Sequence, residues 1–369
     1  MLNKVILFLF VCCLFSPKLW AENGSDWHLV KEFPQKSFPK TVPAGNYSGL
    51  THLHDDVYAV VSDKSDSALF FRFQIQVNLK TGELEQVRNL GFSQRIHPQS
   101  LYTKENQAAE TGYDLEAIAK VSDSTVVVSS EGKAFLKEYF ISPSDYSRHS
   151  ADSTNLWERK YRISDFYPNY LFESLAYDSL RKCLWTISES TMRQDGTYAT
   201  TKNGVANRLR LVAFDWSHGT EHPQKFSYAY RMDPPSTRRD AQIYVMGVSE
   251  LCVLEDGQLL VLEREAYIPK AKVGAFCICK LYLVNPDKEK LFPDELAFSD
   301  ATPYMKKTLL TEWRTHLSLL GRSFANYEGM CLGPKLENGD QVLILVSDSQ
   351  NQYAGVLKDW FKTIVISQK

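Results

Sequence analysis

The sequence lacks a net charge of either sign, because 42 Lys and Arg residues balance 44 Asp and Glu residues to a formal charge of −2. A protein that binds nucleic acid or an anionic membrane by electrostatics carries a basic excess, which is missing here. Long apolar runs are missing as well. The longest extends from Val5 to Phe15, whereas a membrane-spanning helix needs about twenty apolar residues. We therefore expect neither a nucleic-acid partner nor a membrane span.

Two motifs of common enzyme classes are also absent. No Gly-x-Ser-x-Gly turn occurs in the sequence, and no serine can be matched to a His and an Asp, so a serine-hydrolase triad is not supported. Glycine-rich loops of the Walker or dinucleotide-binding type do not occur either. Any hydrolytic chemistry must therefore come from other groups.

Cysteine is scarce, with seven residues in the whole sequence. Cys12 and Cys13 lie in the N-terminal apolar run, which follows Lys4 and precedes Ala21. This arrangement predicts a signal peptide over residues 1–21 and export to the periplasm or the cell exterior. We expect the rest of the chain, residues 22–369, to form a single domain. An odd number of cysteines remains after cleavage, so at least one thiol stays unpaired within the chain.

What the sequence does contain is a repeat of a two-strand unit. A short apolar strand opens at a small or acidic residue, and a second apolar strand follows and ends in an acid. The units open at Gly49, Glu116, Glu173, Glu250 and Glu328. Their second strands end at Asp63, Glu131, Glu189, Glu263 and Asp348. The steps between units are 57 to 78 residues, which is long enough for one four-stranded blade each.

This repeat predicts an all-β fold, a β-propeller of five four-stranded blades. A six-bladed ring is the main alternative, and a β-sandwich with a helical domain is a second. The last unit lacks a fourth strand, while an unassigned strand, residues 27–33, lies near the N-terminus. We therefore expect strands from the two termini to complete one blade and close the ring, which removes exposed sheet edges.

The opening and closing acids should meet at one pole of the central channel, because the second strand of each blade returns antiparallel to the first. So many carboxylates repel one another unless a cation joins them. Calcium suits such a set, since it takes six to eight oxygen ligands. The predicted metal ligands are Asp63, Glu116, Glu131, Glu189, Glu250, Glu263 and Asp348. The alternative is that each acid binds backbone N–H groups of a neighbouring blade and has a purely structural role.

Three basic residues accompany these acids. Lys64 follows Asp63, Arg264 follows Glu263, and Arg193 lies in the loop after Glu189. They could pair with the acids or hold an anionic substrate group, and Arg264 is the preferred anion contact.

These motifs resemble the phytase-like family, also described as having esterase-like activity of phytase, a group of secreted bacterial β-propellers. The similarity extends over nearly the whole mature chain. It is carried by Asn46-Tyr47-Ser48-Gly49-Leu50, Asp114-Leu115-Glu116-Ala117-Ile118, Phe172-Glu173-Ser174-Leu175-Ala176, Leu262-Glu263-Arg264 and Asn326-Tyr327-Glu328-Gly329-Met330. Gly49 departs from the acid of the later copies, so a symmetric metal ring is not expected.

The resemblance implies calcium-assisted hydrolysis of a small-molecule phosphate or carboxylate ester. Glu173 or Glu328 would be the general base, and Arg264 would hold the anion. Two other functions stay open. One is a non-catalytic propeller that binds a carbohydrate, peptide or protein partner, and the other is a metal-dependent lactonase.

Overall fold

A computed structural model describes residues 27–64, 70–92, 113–141, 156–217, 221–318, 321–350 and 352–369. Regular structure in this part of the chain is almost entirely β, with twenty strands and four short 3-10 helices. None of the described helices has the length and apolar character needed to cross a membrane. The predicted signal peptide, residues 1–21, lies outside the described residues.

The strands form five antiparallel four-stranded sheets in chain order. Blade 1 contains β2 (Tyr47–His54), β3 (Val57–Ser62), β4 (Phe71–Val77) and β5 (Leu84–Phe92). Blade 2 contains β6 (Leu115–Lys120), β7 (Thr125–Ser130), β8 (Phe135–Phe140) and β9 (Glu158–Lys160). Blade 3 contains β10 (Ala176–Asp178), β11 (Cys183–Ile187), β12 (Arg208–Asp215) and β13 (Gln224–Arg231).

The last two sheets complete the fold. Blade 4 contains β14 (Ile243–Val253), β15 (Leu259–Ile268), β16 (Ala275–Val284) and β17 (Thr308–Leu317). Blade 5 contains β18 (Asn326–Lys335), β19 (Gln341–Asp348), β20 (Phe361–Gln368) and, from the other end of the chain, β1 (Trp27–Glu32). The 3-10 helices are Ile163–Asp165, Arg193–Asp195, Pro286–Lys288 and Tyr353–Gly355.

The closure predicted from the sequence is confirmed in blade 5. Strand β1 pairs antiparallel with β20, with Trp27 opposite Gln368 and Glu32 opposite Ile364. The fifth blade therefore takes three strands from the C-terminal end and one from the N-terminal end. The described residues form five sheets rather than the six of the alternative.

The hydrophobic core is divided among the interfaces between neighbouring blades. One cluster of buried side chains joins blades 4 and 5, with Leu262 packed in the same cluster as Leu345. Another joins blade 5 to blade 1, including Ile344 and Phe73. Three further clusters join blades 1 and 2, 2 and 3, and 3 and 4. Both faces of the inner strands are covered in this way, which explains why β19 is buried along its whole length.

Candidate functional site

Each blade has a β-bulge within, or just before, its innermost strand. In blade 5, Tyr327 pairs with Ser347 but Gly329 pairs with Val346, so Glu328 has no partner across the ladder. The same change of register occurs in the other four blades, at Ser48-Gly49, Glu116-Ala117, Glu173-Ser174-Leu175 and Ser249. A bulge bends its strand and re-aims the side chain it carries, so the repeat presents one altered position per blade.

The pairing defines which residues are equivalent in the five blades. The bulge position is occupied by Ser48, Glu116, Glu173, Ser249 and Glu328. In each blade, one residue of the second strand pairs with the residue just before the bulge. The residue after that partner is Asp63 in blade 1, Glu131 in blade 2, Glu189 in blade 3, Arg264 in blade 4 and Asp348 in blade 5. We call the acids at these positions, together with Asp114, the carboxylate mouth. Its members are Asp63, Asp114, Glu116, Glu131, Glu173, Glu189, Glu328 and Asp348.

The structure places Glu263 outside the mouth. Glu263 pairs with Val248, and Glu263 itself is therefore the equivalent of the serine that ends this pairing in the other blades. The next residue, Arg264, occupies the mouth position. The Glu263 carboxylate faces away and accepts hydrogen bonds from Tyr230 Oη at 2.6 Å and Lys307 Nζ at 2.7 Å.

Glu250 also lies outside the mouth, because it is one residue beyond the bulge position of blade 4. It follows the bulge at Ser249, where the other blades have Gly49, Ala117, Ser174 and Gly329. Glu250 Oε1 accepts the backbone N–H groups of Leu175, at 3.1 Å, and Leu251, at 3.0 Å. Burial raises the pKa of Glu250 well above its ordinary value. Glu250 therefore holds blade 3 against blade 4, as in the structural alternative.

Arg264 is the centre of one side of the mouth. Its Nη2 lies 2.8 Å from both Glu173 Oε2 and Glu189 Oε1, and its Nη1 donates to Glu328 Oε1. The guanidinium is almost completely buried, and its Nε has no hydrogen-bond partner among the described residues. Three carboxylates from blades 3 and 5 are thus gathered on one cation from blade 4.

The Glu173 and Glu189 carboxyls form a close pair on Arg264. Burial raises the pKa of both, and for both the positive charge of Arg264 acts against that rise. The charge of Glu189 adds to the rise in the pKa of Glu173, because two ionised carboxylates repel each other.

The other side of the mouth contains a cluster of acids without an arginine. Carboxylate oxygens of Asp114, Glu116 and Glu131 all lie within 4.8 Å of one another. Burial is the main reason that the pKa of each is raised, to about 8 for Glu131. Ser48 Oγ connects the two sides, since it lies 3.0 Å from Glu116 Oε2 and 3.2 Å from Glu328 Oε2.

Two further acids and Lys64 complete the mouth. Lys64 Nζ lies 2.7 Å from Asp63 Oδ2 and 3.7 Å from Asp114 Oδ1, with about half of its side chain exposed. Burial raises the pKa of Asp63 to about 7 even with Lys64 beside it. Asp348 accepts the backbone N–H of Gln350 at 2.7 Å, and burial raises its pKa well above the ordinary value.

Arg193, the third basic residue singled out from the sequence, makes no contact with the mouth acids in the described part of the chain. Its Nε donates to the carbonyl of Phe166 at 2.7 Å, and its guanidinium lies over the ring of Tyr167 at 4.5 Å. Asp114 was not among the predicted ligands. Its sequence signals were its position two residues before Glu116 and its place in the motif Asp114-Leu115-Glu116-Ala117-Ile118.

Two glycines allow the blades to approach each other around the mouth. A Cβ atom on Gly329 would lie 2.1 Å from the carbonyl oxygen of Ser48, and one on Gly247 would lie 2.5 Å from that of Glu189. Real Cβ atoms do not approach oxygen so closely, so a side chain at Gly329 would push blades 5 and 1 apart and one at Gly247 would push blades 4 and 3 apart.

A family model described as "Phytase-like: Esterase-like activity of phytase" matches residues 42–350. The chain belongs to the phytase-like family. The resemblance inferred from the sequence motifs is therefore confirmed. No curated protein matches the chain.

Several solved structures are similar to this phytase-like chain. Virginiamycin B lyase from Staphylococcus aureus is 10% identical with a TM-score of 0.33, and the match covers 92% of this chain and 99% of the lyase. CoXyl43, a GH43 β-xylosidase/α-arabinofuranosidase from a compost microbial metagenome, is 10% identical with a TM-score of 0.37, covering 91% and 95%. Drosophila Semaphorin 1b is 10% identical with a TM-score of 0.34, covering 92% and 80%. At these scores the similarity carries no functional argument.

Proposed function

We propose that the chain is an exported, divalent-cation-dependent hydrolase of small-molecule phosphate or carboxylate esters, with the carboxylate mouth as its active site. The observation that supports this most is the division of the mouth. One side has Arg264 at its centre, whereas Lys64 is the one cation that pairs with an acid of the Asp114, Glu116 and Glu131 cluster among the described residues. The leader over residues 1–21 is the basis for export.

The chemistry of this cluster fits a hard divalent cation. All of its donors are carboxylate oxygens, which calcium binds in flexible geometry, whereas zinc would favour His or Cys ligands. The raised pKa of Glu131 expresses burial and repulsion from Glu189, both of which a cation would offset. Asp114, Glu116 and Glu131 would therefore hold the ion. When bound, such an ion polarises an ester oxygen and lowers the pKa of a water molecule beside it.

The residues around Arg264 supply proton transfer. Burial raises the pKa of both carboxyls of the Glu173–Glu189 pair, which makes the pair the candidate proton donor to the leaving oxygen of an ester. Glu328 accepts hydrogen bonds from Arg264 and, at 2.6 Å, from Asn326 Nδ2, which fixes its carboxylate as the candidate general base.

Substrate anions would meet Lys64 rather than the terminal nitrogens of Arg264. Both Nη atoms of Arg264 are bonded to carboxylates, so Arg264 acts as a positioning residue in this proposal. Lys64 is solvent-accessible and borders the acid cluster. We therefore assign the anion contact to Lys64 together with the bound cation.

A binding function without turnover is the second candidate, and inter-blade hydrogen bonds favour it. Glu131 of blade 2 accepts the backbone N–H of Leu171 at 3.1 Å, and Ser48 of blade 1 joins Glu116 of blade 2 to Glu328 of blade 5. Acids used in this way hold the blades together whether or not a reaction takes place.

The two candidates are separated by assaying metal-stripped protein with and without calcium. The substrates are 4-nitrophenyl phosphate, bis(4-nitrophenyl) phosphate, 4-nitrophenyl acetate and a simple lactone. We expect calcium to restore hydrolysis in the wild type and in the control Glu255→Gln, which removes an exposed acid paired with Lys335. Glu116→Gln should lose at least tenfold in rate. Calcium binding without turnover of any substrate would overturn the enzyme proposal in favour of the binding module.

A further inference from the structure

A cavity of about 480 Å³ lies on blade 3, apart from the carboxylate mouth. Its walls include Gly196 and Val205 from the loop between β11 and β12, Arg208 at the start of β12, Arg231 at the end of β13, and Pro234. Because β12 starts at the pole where β11 ends, the cavity opens on the same pole as the mouth.

Two like charges face each other in this cavity. Arg208 and Arg231 are direct cross-strand partners in the pairing of β12 with β13, and both line the cavity. Like charges directly opposite each other destabilise a strand pair unless a counter-charge lies between them. The arrangement therefore favours occupation by an anion.

The nearby acids do not supply that counter-charge in full. Asp195 also lines the cavity, but both of its carboxylate oxygens accept hydrogen bonds from Arg210, at 2.7 Å each. Asp300 lies 2.7 Å from Arg208 and is highly exposed. Within the described ranges Arg231 has no ion pair, and its guanidinium lies 5.7 Å from the ring of Tyr304.

The rest of the lining is apolar or free of side chains. Val205 is 38% exposed, which is high for valine, and with Pro234 it forms an apolar wall. A Cβ atom built on Gly196 would meet no atom within 4 Å, so backbone is accessible on that side. Pro234 also borders a narrow pocket whose lining includes Arg264.

We propose that this cavity is a second ligand site, which binds an organic phosphate through Arg208 and Arg231 with the apolar body of the ligand against Val205 and Pro234. A dianionic group is preferred because two guanidinium groups face the cavity, and arginine binds phosphate oxygens in a fork. The inference does not depend on ester hydrolysis at the mouth.

The test is isothermal titration calorimetry with phenylphosphonate, which has no ester bond to hydrolyse. The mature chain is titrated in low salt with EDTA present, so that no divalent cation at the mouth contributes. We expect binding to the wild type and a roughly tenfold weaker affinity in Arg231→Gln, because charge-assisted hydrogen bonds are lost. Asp300→Asn should bind more tightly than the wild type, since it frees Arg208. Arg239→Gln, which removes an exposed arginine over Tyr267, is the matched control and should bind unchanged.

Four results would overturn the proposal: no binding by the wild type, an Arg231→Gln affinity equal to that of the wild type, an Asp300→Asn affinity no higher than that of the wild type, or an equal loss in Arg239→Gln. Inorganic phosphate and benzoate are titrated in parallel. If inorganic phosphate binds as tightly as phenylphosphonate, the apolar wall does not contribute to binding. If benzoate binds as tightly as phenylphosphonate, the site does not prefer a dianion. If Arg231→Gln fails to fold, Asp300→Asn still tests the proposal, because the affinity of Asp300→Asn for phenylphosphonate must then exceed that of the wild type.

Discussion

Replacing Arg264 by methionine removes the cation that gathers Glu173, Glu189 and Glu328. Methionine keeps the apolar length of the arginine side chain, so most of the packing is retained. In the variant the three carboxylates stay buried without their shared partner. They must then take up protons or remain ionised beside one another.

The size of the effect follows from the cost of protonation. A glutamate has an ordinary pKa of about 4.3, so holding one proton on it costs about 5 kcal/mol at pH 8 and about 1 kcal/mol at pH 5. Breaking a buried ion pair from one side costs about 3–5 kcal/mol in general. We therefore expect Arg264→Met to lower the free energy of unfolding by about 4 kcal/mol at pH 8, and by much less at pH 5.

The assay is thermal unfolding at several pH values between 5 and 8, in EDTA. A loss of this size corresponds to a fall in Tm of about 5 °C at pH 8 for a chain of this length, with a much smaller fall at pH 5. Arg162→Met is the control, because Arg162 is 83% exposed and pairs only with Asp165 among the described residues. Equal destabilisation by Arg264→Met at both pH values would refute the electrostatic reasoning and indicate lost packing instead.

Three further predictions concern the mouth. The metal-stripped wild type should become less stable as the pH rises from 5 to 9. The pKa of Glu131 is raised to about 8 in the folded state, so the folded state binds more protons than the unfolded state over this range. Denaturant midpoints that rise with pH would contradict this prediction. Gly329→Ala should lower the free energy of unfolding by about 1–3 kcal/mol, because the added methyl group meets the Ser48 carbonyl. Urea unfolding measures this change, and an unchanged midpoint would show that the blades can separate. Calcium should raise the Tm of Glu263→Gln as it does that of the wild type but not that of Glu116→Gln; equal shifts in both variants would place the ion elsewhere.

The propeller itself could be predicted from the sequence because its signals are redundant. Five apolar strand pairs recur at similar spacing, and each blade needs a partner on both faces, so the number of blades and the closure by β1 and β20 follow from the repeat. A local error in one strand does not change such a prediction.

The membership of the mouth could be predicted only in part, because it depends on register. Side chains in a strand alternate between faces, so a shift of one residue moves a group to the other side. Aligning acids with acids put Glu263 in the mouth, whereas the pairing puts Arg264 there. The bulges add a second shift, which displaces Glu250 and makes Ser48, not Gly49, the equivalent of Glu116. No pattern of residue types marks a bulge in this sequence.

The central claim is that the carboxylate mouth binds a divalent cation through Asp114, Glu116 and Glu131. Calorimetric titration of calcium into metal-stripped protein at pH 7.5, repeated in two buffers of different ionisation enthalpy, tests it most directly. Because the pKa of Glu131 is about 8, we predict saturable binding with release of protons as the carboxyls ionise on the metal. Calcium binding without proton release, or no binding at all, would contradict the claim.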